Sequence, residues 1–326
     1  MKYRRLGKSG YDVSEVGLGC WQLGNDFGPV SDDHAAAILA AGDAADINFW
    51  DTADVYGDGL SERRIGDYTA LHSRPRRVVT KVGRNADLYP DGYTKAKVRT
   101  SLENSLRRLG GDALDLAQLH CVPTAVLLAG DLLSWMHDFQ RDGLLRHFGA
   151  SVETMEEARF AVTHPALTSL QIIFNIFRQD AIEDLFPLAV EHDVGIIVRL
   201  PLASGVLSGK MVHGQQFAET DHRNFNRDGA AFSVGETFSG VPFEQAVDLA
   251  QEVAAQAPDA LSPAQMALRW ALDHPAVSTV IAGASRPEQV TENAAVSDLA
   301  PLPATLHEEL ATLYTDRVEH LIRGAR

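Results

Sequence analysis

The chain has 326 residues, 45% of them hydrophobic and 22% charged, with a formal net charge of −15 and an isoelectric point near 5.2. That length fits one large α/β domain spanning residues 1–326, and the acidity argues against nucleic-acid binding, which needs clustered Lys and Arg to neutralise phosphate. No apolar run approaches the ~20 residues of a membrane span, Met1–Leu6 lacks a signal-peptide apolar region, and Cys20 and Cys121 make no disulfide framework, so a reducing, cytoplasmic home is expected.

Strand-like and helix-like segments alternate along the chain. Tyr3 to Arg5 and Ser14 to Val16, around Gly7-Lys8-Ser9-Gly10, read as a hairpin, and Val16 to Gly19 as a short strand. Ser31 caps a helix over Asp32 to Ala45; Asn48 to Asp51 is a strand, and Ser61 is expected to cap a helix through Leu71. Val78 to Lys81, Leu114 to His120, Arg146 to Ala150, Ser169 to Phe174, Gly195 to Leu200 and Val280 to Ala282 read as further strands. Between or after them, helices are expected over Thr94 to Leu109, Asp131 to Arg141, Thr154 to Thr163, Ile182 to His192 and Pro287 to Val296. Eight such units favour a closed (β/α)8 TIM barrel over an open doubly wound sheet. A helix over Pro263 to Asp273 and another from Ala304 are expected as additions outside the barrel, and Ser204 to Pro242 as a long structureless loop after strand seven, such as a lid.

Three of these strands end on residues with proton chemistry. Asp51 closes one strand, with Tyr56 five residues on; Lys81 closes the next and His120 the one after. Rigid strands aim such groups while loops leave room for a ligand. A carbonyl reduced by hydride needs a proton at oxygen. Tyr56 can give it, Lys81 can draw the phenol towards neutrality, Asp51 can hold Lys81 charged, and His120 can orient the carbonyl.

On these residues the chain resembles the aldo-keto reductase family over nearly its whole length. The opening Tyr3-Arg4-Arg5-Leu6-Gly7-Lys8-Ser9-Gly10 is similar to the family's N-terminal signature. Phe49-Trp50-Asp51-Thr52-Ala53-Asp54-Val55-Tyr56-Gly57 is similar to its most specific motif, and Val79-Thr80-Lys81 and Gln118-Leu119-His120 to the segments carrying the other two tetrad members. The resemblance implies a (β/α)8 barrel, NADP(H) as hydride carrier, and reduction of an aldehyde or ketone, possibly a sugar or other hydroxylated carbonyl, with Tyr56 as general acid. It also implies cofactor contacts at Gly19, Cys20, Trp21, Asp51, Ser151 and Gln171. Val152 stands where an Asn would complete the carboxamide clamp, Phe174 where Tyr is common, and Arg199 where an aromatic often underlies the ring; a planar guanidinium can stack there too. Pro201, Leu202, Ser204, Gly205 and Lys210 resemble the stretch that contacts nicotinamide and pyrophosphate, and Arg223 is expected to reach a phosphate. Gly283, Ser285, Arg286, Gln289 and Asn293 resemble the adenosine-phosphate motif, with Arg286 facing the 2′-phosphate.

Trp21, Phe27, Tyr56, Tyr89, His120 and Cys121 are expected to line the substrate pocket. Gly17-Leu18-Gly19 lacks the third glycine of a dinucleotide fingerprint, and Gly209-Lys210 is followed by Met211 where a P-loop has Ser or Thr. His213 and His222, irregularly spaced, read as solvated loop residues, so no metal is expected. The expected partner is a small carbonyl or alcohol. The alternative is a regulatory NADPH-binding subunit of the same type with little turnover.

Overall fold

The computed structural model describes residues 1–326. Two short strands, β1 (Tyr3–Arg5) and β2 (Asp12–Ser14), form the expected antiparallel hairpin, with Tyr3 opposite Ser14. Eight parallel strands follow and close on themselves: β3 (Val16–Gly19), β4 (Phe49–Asp51), β5 (Arg77–Val82), β6 (Leu114–His120), β7 (Leu145–Ser151), β8 (Ser169–Ile173), β9 (Gly195–Arg199) and β10 (Val277–Gly283). The last pairs with the first, Gly283 opposite Gly19. This is the (β/α)8 barrel expected from the sequence.

The hairpin closes the lower end. Leu6 and Val13 are fully buried and pack with Phe49, Val79, Leu116, Ile197 and Ile281, which come from barrel strands. The chain can approach this closely because Gly7, at φ +46, lies against the start of β9; a Cβ there would come within 2.4 Å of the Gly195 nitrogen. Around the barrel, a cluster of 63 buried residues from strands and helices joins the two layers. No helix is long and apolar enough to cross a membrane.

Helix boundaries follow capping chemistry. Thr94 and Ser31 accept from backbone N–H groups three residues on, and Thr154 forms a full capping box with Glu157. Ser61 does not cap. Gly59, in the left-handed region, opens the helix Leu60–Leu71, while the Ser61 hydroxyl is buried, donating to the Cys20 carbonyl at 2.8 Å and accepting from Thr52. The expected helix 182–192 is broken into Ala181–Asp184 and Phe186–Glu191, where Pro187 cannot supply an N–H to continue the ladder.

The seventh unit differs most from the sequence reading. Pro263–Leu272 is not an addition at the rim: Met266, Ala267, Leu268, Trp270, Ala271 and Leu272 are all buried, so it belongs to the layer around the barrel, leading directly into β10. The additional helix is Phe243–Ala255, whose Phe243, Ala246, Val247, Ala250 and Val253 carry a helical apolar stripe. The segment before it is not structureless. It holds short 3-10 turns at Ala203–Ser208, Val234–Glu236 and Phe238–Gly240, and one helical turn at His222–Phe225. Ser204 Oγ donates to the Glu236 carbonyl at 3.2 Å, joining two parts of the segment, and Asn175 Nδ2, just beyond β8, donates to Ser239 Oγ at 2.9 Å, tying it to a strand end.

Candidate active site

Asp51, Tyr56, Lys81 and His120 meet at the carboxyl-terminal mouth of the barrel. Lys81 Nζ donates to the Asp51 carboxylate, to the Thr52 carbonyl at 2.8 Å and to Tyr56 Oη at 3.2 Å. The other Asp51 oxygen accepts from Gln171 Nε2 at 2.7 Å. Asp51, Lys81 and His120 are all at most 5% exposed. Tyr56 meets His120 edge to face, ring centroids 5.9 Å apart. The register explains the convergence: Gly19 pairs with Asp51, and His120, Ser151 and Gln171 form one level across β6, β7 and β8.

Protonation states follow from burial and charge. Burial alone would lower Lys81, yet Asp51 and Tyr56 keep it above its ordinary value, so it is an ammonium. Burial, reinforced by Arg84 and Lys81, holds His120 well below its ordinary value. It is therefore neutral, offering one donor and one acceptor. Tyr56 departs from the sequence expectation: burial pushes its phenol up to about 12, outweighing the pull of Lys81. The phenol thus keeps its proton at neutral pH, and the ammonium beside it is placed where it can stabilise a phenolate, the arrangement general-acid chemistry needs.

A second charged group shares the mouth and was not read from the sequence. Arg84, just beyond β5, pairs with Glu236 of the long segment and with Glu153, just beyond β7, the latter at 2.7 Å. Arg199, ending β9, lies 3.5 Å from Glu236 and donates to the Val152 carbonyl at 3.2 Å. Burial would raise Glu236, but Arg84 and Arg199 hold it well below the usual carboxylate range. Burial and the neighbouring Glu236 push Glu153 up to about 8. Cys121, Glu153 and Glu236 lie close enough to suggest a cation site, but Arg84 already meets both carboxyl groups and Arg199 meets Glu236.

A cavity of about 460 Å³ opens above the tetrad. Gly19, Cys20, Trp21, Asp51, Ser151, Gln171, Arg199, Pro201, Leu202, Ser204, Gly205, Lys210, Arg223, Gly283, Ser285, Gln289 and Asn293 all line it, as do Phe27, Tyr56 and His120. Lys81 reaches it through Tyr56. Three expected residues do not line it. Tyr89, in the loop after β5, is 48% exposed. Cys121 is buried behind the wall, its sulfur 3.6 Å from Ser151 Oγ and 3.5 Å from Arg199 Nη2. Arg286 is exposed at the start of the helix Pro287–Ala294, beside the lining residues Ser285 and Gln289.

The Arg199 guanidinium lines the cavity while paired in the ion cluster. Phe174 packs on Trp270 in the core, 4.8 Å between centroids, away from the cavity. The Arg223 fork is closed on Asp221, with Nη2 2.6 Å from a carboxylate oxygen. His222 is not solvated: it is wholly buried and lines the cavity. Gln22, Gln215 and Glu236 are further lining residues missed in the sequence; they sit in loops or short turns where no strand end marks them.

The sequence model of the Aldo/keto reductase family matches residues 15–315. The chain belongs to that family. It is 29% identical over 332 residues to the uncharacterized oxidoreductase YqkF of Bacillus subtilis, all of each chain being covered. Among solved structures, the aldo-keto reductase AKR11C1 of Bacillus halodurans, in its holo form, superposes with a TM-score of 0.77 at 27% identity, covering 96% of each chain. The glycerol dehydrogenase AKR11B4 of Gluconobacter oxydans superposes with a TM-score of 0.80 at 25% identity, covering 100% of this chain and 98% of its own.

Proposed function

We propose that this aldo/keto reductase is an NADP(H)-dependent oxidoreductase that interconverts an aldehyde or ketone and its alcohol. The observation that carries the reading is the buried line Asp51–Lys81–Tyr56, with Lys81 Nζ 3.2 Å from the phenol oxygen, opening into a cavity beside a neutral His120.

The residues around that cavity suit a nicotinamide coenzyme. Gln171 and Ser151 present an amide and a hydroxyl at one end, Ser151 Oγ lying 3.4 Å from Gln171 Oε1. Along its side, Ala203, Ser204 and Gly205 are three successive residues at positive φ, a turn that bares backbone to the cavity. Ser285, Gln289 and Asn293 line the other end. The coenzyme, when bound, supplies the hydride. Within the protein, His120 hydrogen-bonds the carbonyl oxygen and fixes its approach, Tyr56 gives that oxygen a proton, and Lys81, held by Asp51, stabilises the phenolate that remains. Arg286, free of ion-pair partners beside Ser285, supplies the cation for a 2′-phosphate.

The test is binding and turnover measured together. Titration with NADPH and NADH, followed by NADPH oxidation with aldehydes, ketones and sugars, is expected to give tight NADPH binding and turnover. Binding without turnover on any carbonyl would favour the regulatory-subunit reading instead.

A further inference from the structure

His222 sits at the cavity in an environment that no other part of the site explains. Its side chain is wholly buried, and neither ring nitrogen has a hydrogen-bond partner. Three aromatic rings surround it: Trp21 at 4.8 Å, Phe27 at 4.7 Å and Phe232 at 6.5 Å between centroids. Trp21 in turn stacks on Tyr56 at 5.6 Å, so the imidazole lies one ring beyond the proton donor. An orphaned buried polar group is costly, and native proteins carry few of them. A ligand that pairs with the imidazole gives this one a reason.

We propose that His222 is a specificity-determining residue that hydrogen-bonds a hydroxyl group of the substrate, carried on the carbons next to the carbonyl. The inference rests on the carbonyl-reductase reading and names its substrate class: neutral hydroxylated aldehydes or ketones, in preference to plain alkyl ones.

The chemistry of the pocket selects a hydroxyl over other polar groups. Burial, with Arg223 adding to it and Asp221 and Glu236 opposing, holds the imidazole down to about 4, so it is neutral. A neutral ring has one donor nitrogen and one acceptor nitrogen. Asp221 Oδ1 lies 3.6 Å from Nδ1, too long for a hydrogen bond but close enough to favour the proton on that nitrogen. Nε2 is then left with a lone pair, which calls for an O–H donor. A carboxylate or phosphate has no proton to give it. The two arginines lining the cavity are already paired, Arg199 with Glu236 and Arg223 with Asp221, and the unpaired lining cation, Lys210, belongs to the stretch that resembles a pyrophosphate contact.

The experiment compares kcat/KM for glyceraldehyde and propanal, with NADPH, in the wild type, His222→Leu and His222→Gln. Loss of one such hydrogen bond corresponds to roughly a tenfold fall in the glyceraldehyde-to-propanal ratio for His222→Leu. His222→Gln, which keeps a donor and an acceptor, is expected to recover most of it. If His222→Leu does not accumulate folded, His222→Phe, which keeps a ring between Trp21 and Phe27, is read in the same way. A ratio that stays at its wild-type value in the apolar variant, or falls equally in His222→Gln, overturns the inference while leaving the reductase reading standing. A wild type that binds NADPH but reduces neither aldehyde overturns both.

Discussion

Two buried charged groups share the mouth of this barrel, and they are built differently. Asp51 and Lys81 come from adjacent strand ends placed by sheet register, and Tyr56 from the short loop that follows Asp51. Arg84, Glu153, Arg199 and Glu236 reach across the mouth from β5, β7, β9 and the long segment. The first is a rigid group, and the proposed function gives it the task of aiming one proton. The second ties a segment with little regular structure of its own to the strand ends, so pocket shape depends on an electrostatic bond that sequence separation does not enforce. A buried pair is costly to form but costlier to break from one side, because the survivor stays buried and unpaired.

Substitutions should separate the two. Tyr56→Phe removes the acid while leaving the fold intact, and kcat is expected to fall by roughly 10²–10⁴-fold, with NADPH affinity unchanged by fluorescence titration; substantial residual reduction would overturn its role. Lys81→Met strands Asp51 in the interior and should cost about 3–5 kcal/mol of stability in denaturant titration. Glu236→Gln removes the anion shared by Arg84 and Arg199. Because Arg84 keeps 17% of its side chain exposed, the cost should be smaller, about 2–4 kcal/mol, accompanied by faster proteolysis within residues 211–233. Equal proteolysis in wild type and variant would show that the cluster does not hold the segment. Outside both groups, Arg286→Ala should weaken NADPH binding by roughly tenfold while leaving NADH nearly unmoved.

The subtlest effect is on pH. Glu153 is raised from about 4.5 to about 8 in the folded chain, so the native state holds that proton more tightly than the unfolded state does. Its contribution to stability is complete below about 4.5 and is lost as pH climbs to about 8. Glu153→Gln should therefore flatten the decline of Tm across that window; an undiminished slope would assign the decline to other groups.

The tetrad was legible because each member lies at or just beyond a strand end, where linear sequence and spatial position nearly coincide. The barrel was legible for the same reason, through repeated strand-to-helix alternation. Glu236 was not, since it stands in a Gly- and Ser-rich stretch with no periodicity, and its partners are 152 residues away at Arg84 and 37 at Arg199. Cys121 and Tyr89 were misplaced because adjacency to a site residue does not set which way a loop side chain turns. The helix Phe243–Ala255 was overlooked behind Pro242, although its apolar spacing was regular. His222 looked solvated because it lies in a polar run, yet Trp21, Phe27 and Phe232 from distant positions enclose it.

The stack of Tyr56, Trp21 and His222 also makes the chain its own optical probe. Of its four tryptophans, Trp50 and Trp270 are sealed in the interior, Trp135 lies on the helix Asp131–Arg141 away from the mouth, and Trp21 alone borders the cavity. Its indole lies between the Tyr56 phenol, the proposed proton donor, and the imidazole assigned to the substrate hydroxyl. Quenching of that one fluorophore would register arrival at the reacting centre without any added dye, and replacing Trp21 with Phe would silence the signal while the other three keep emitting.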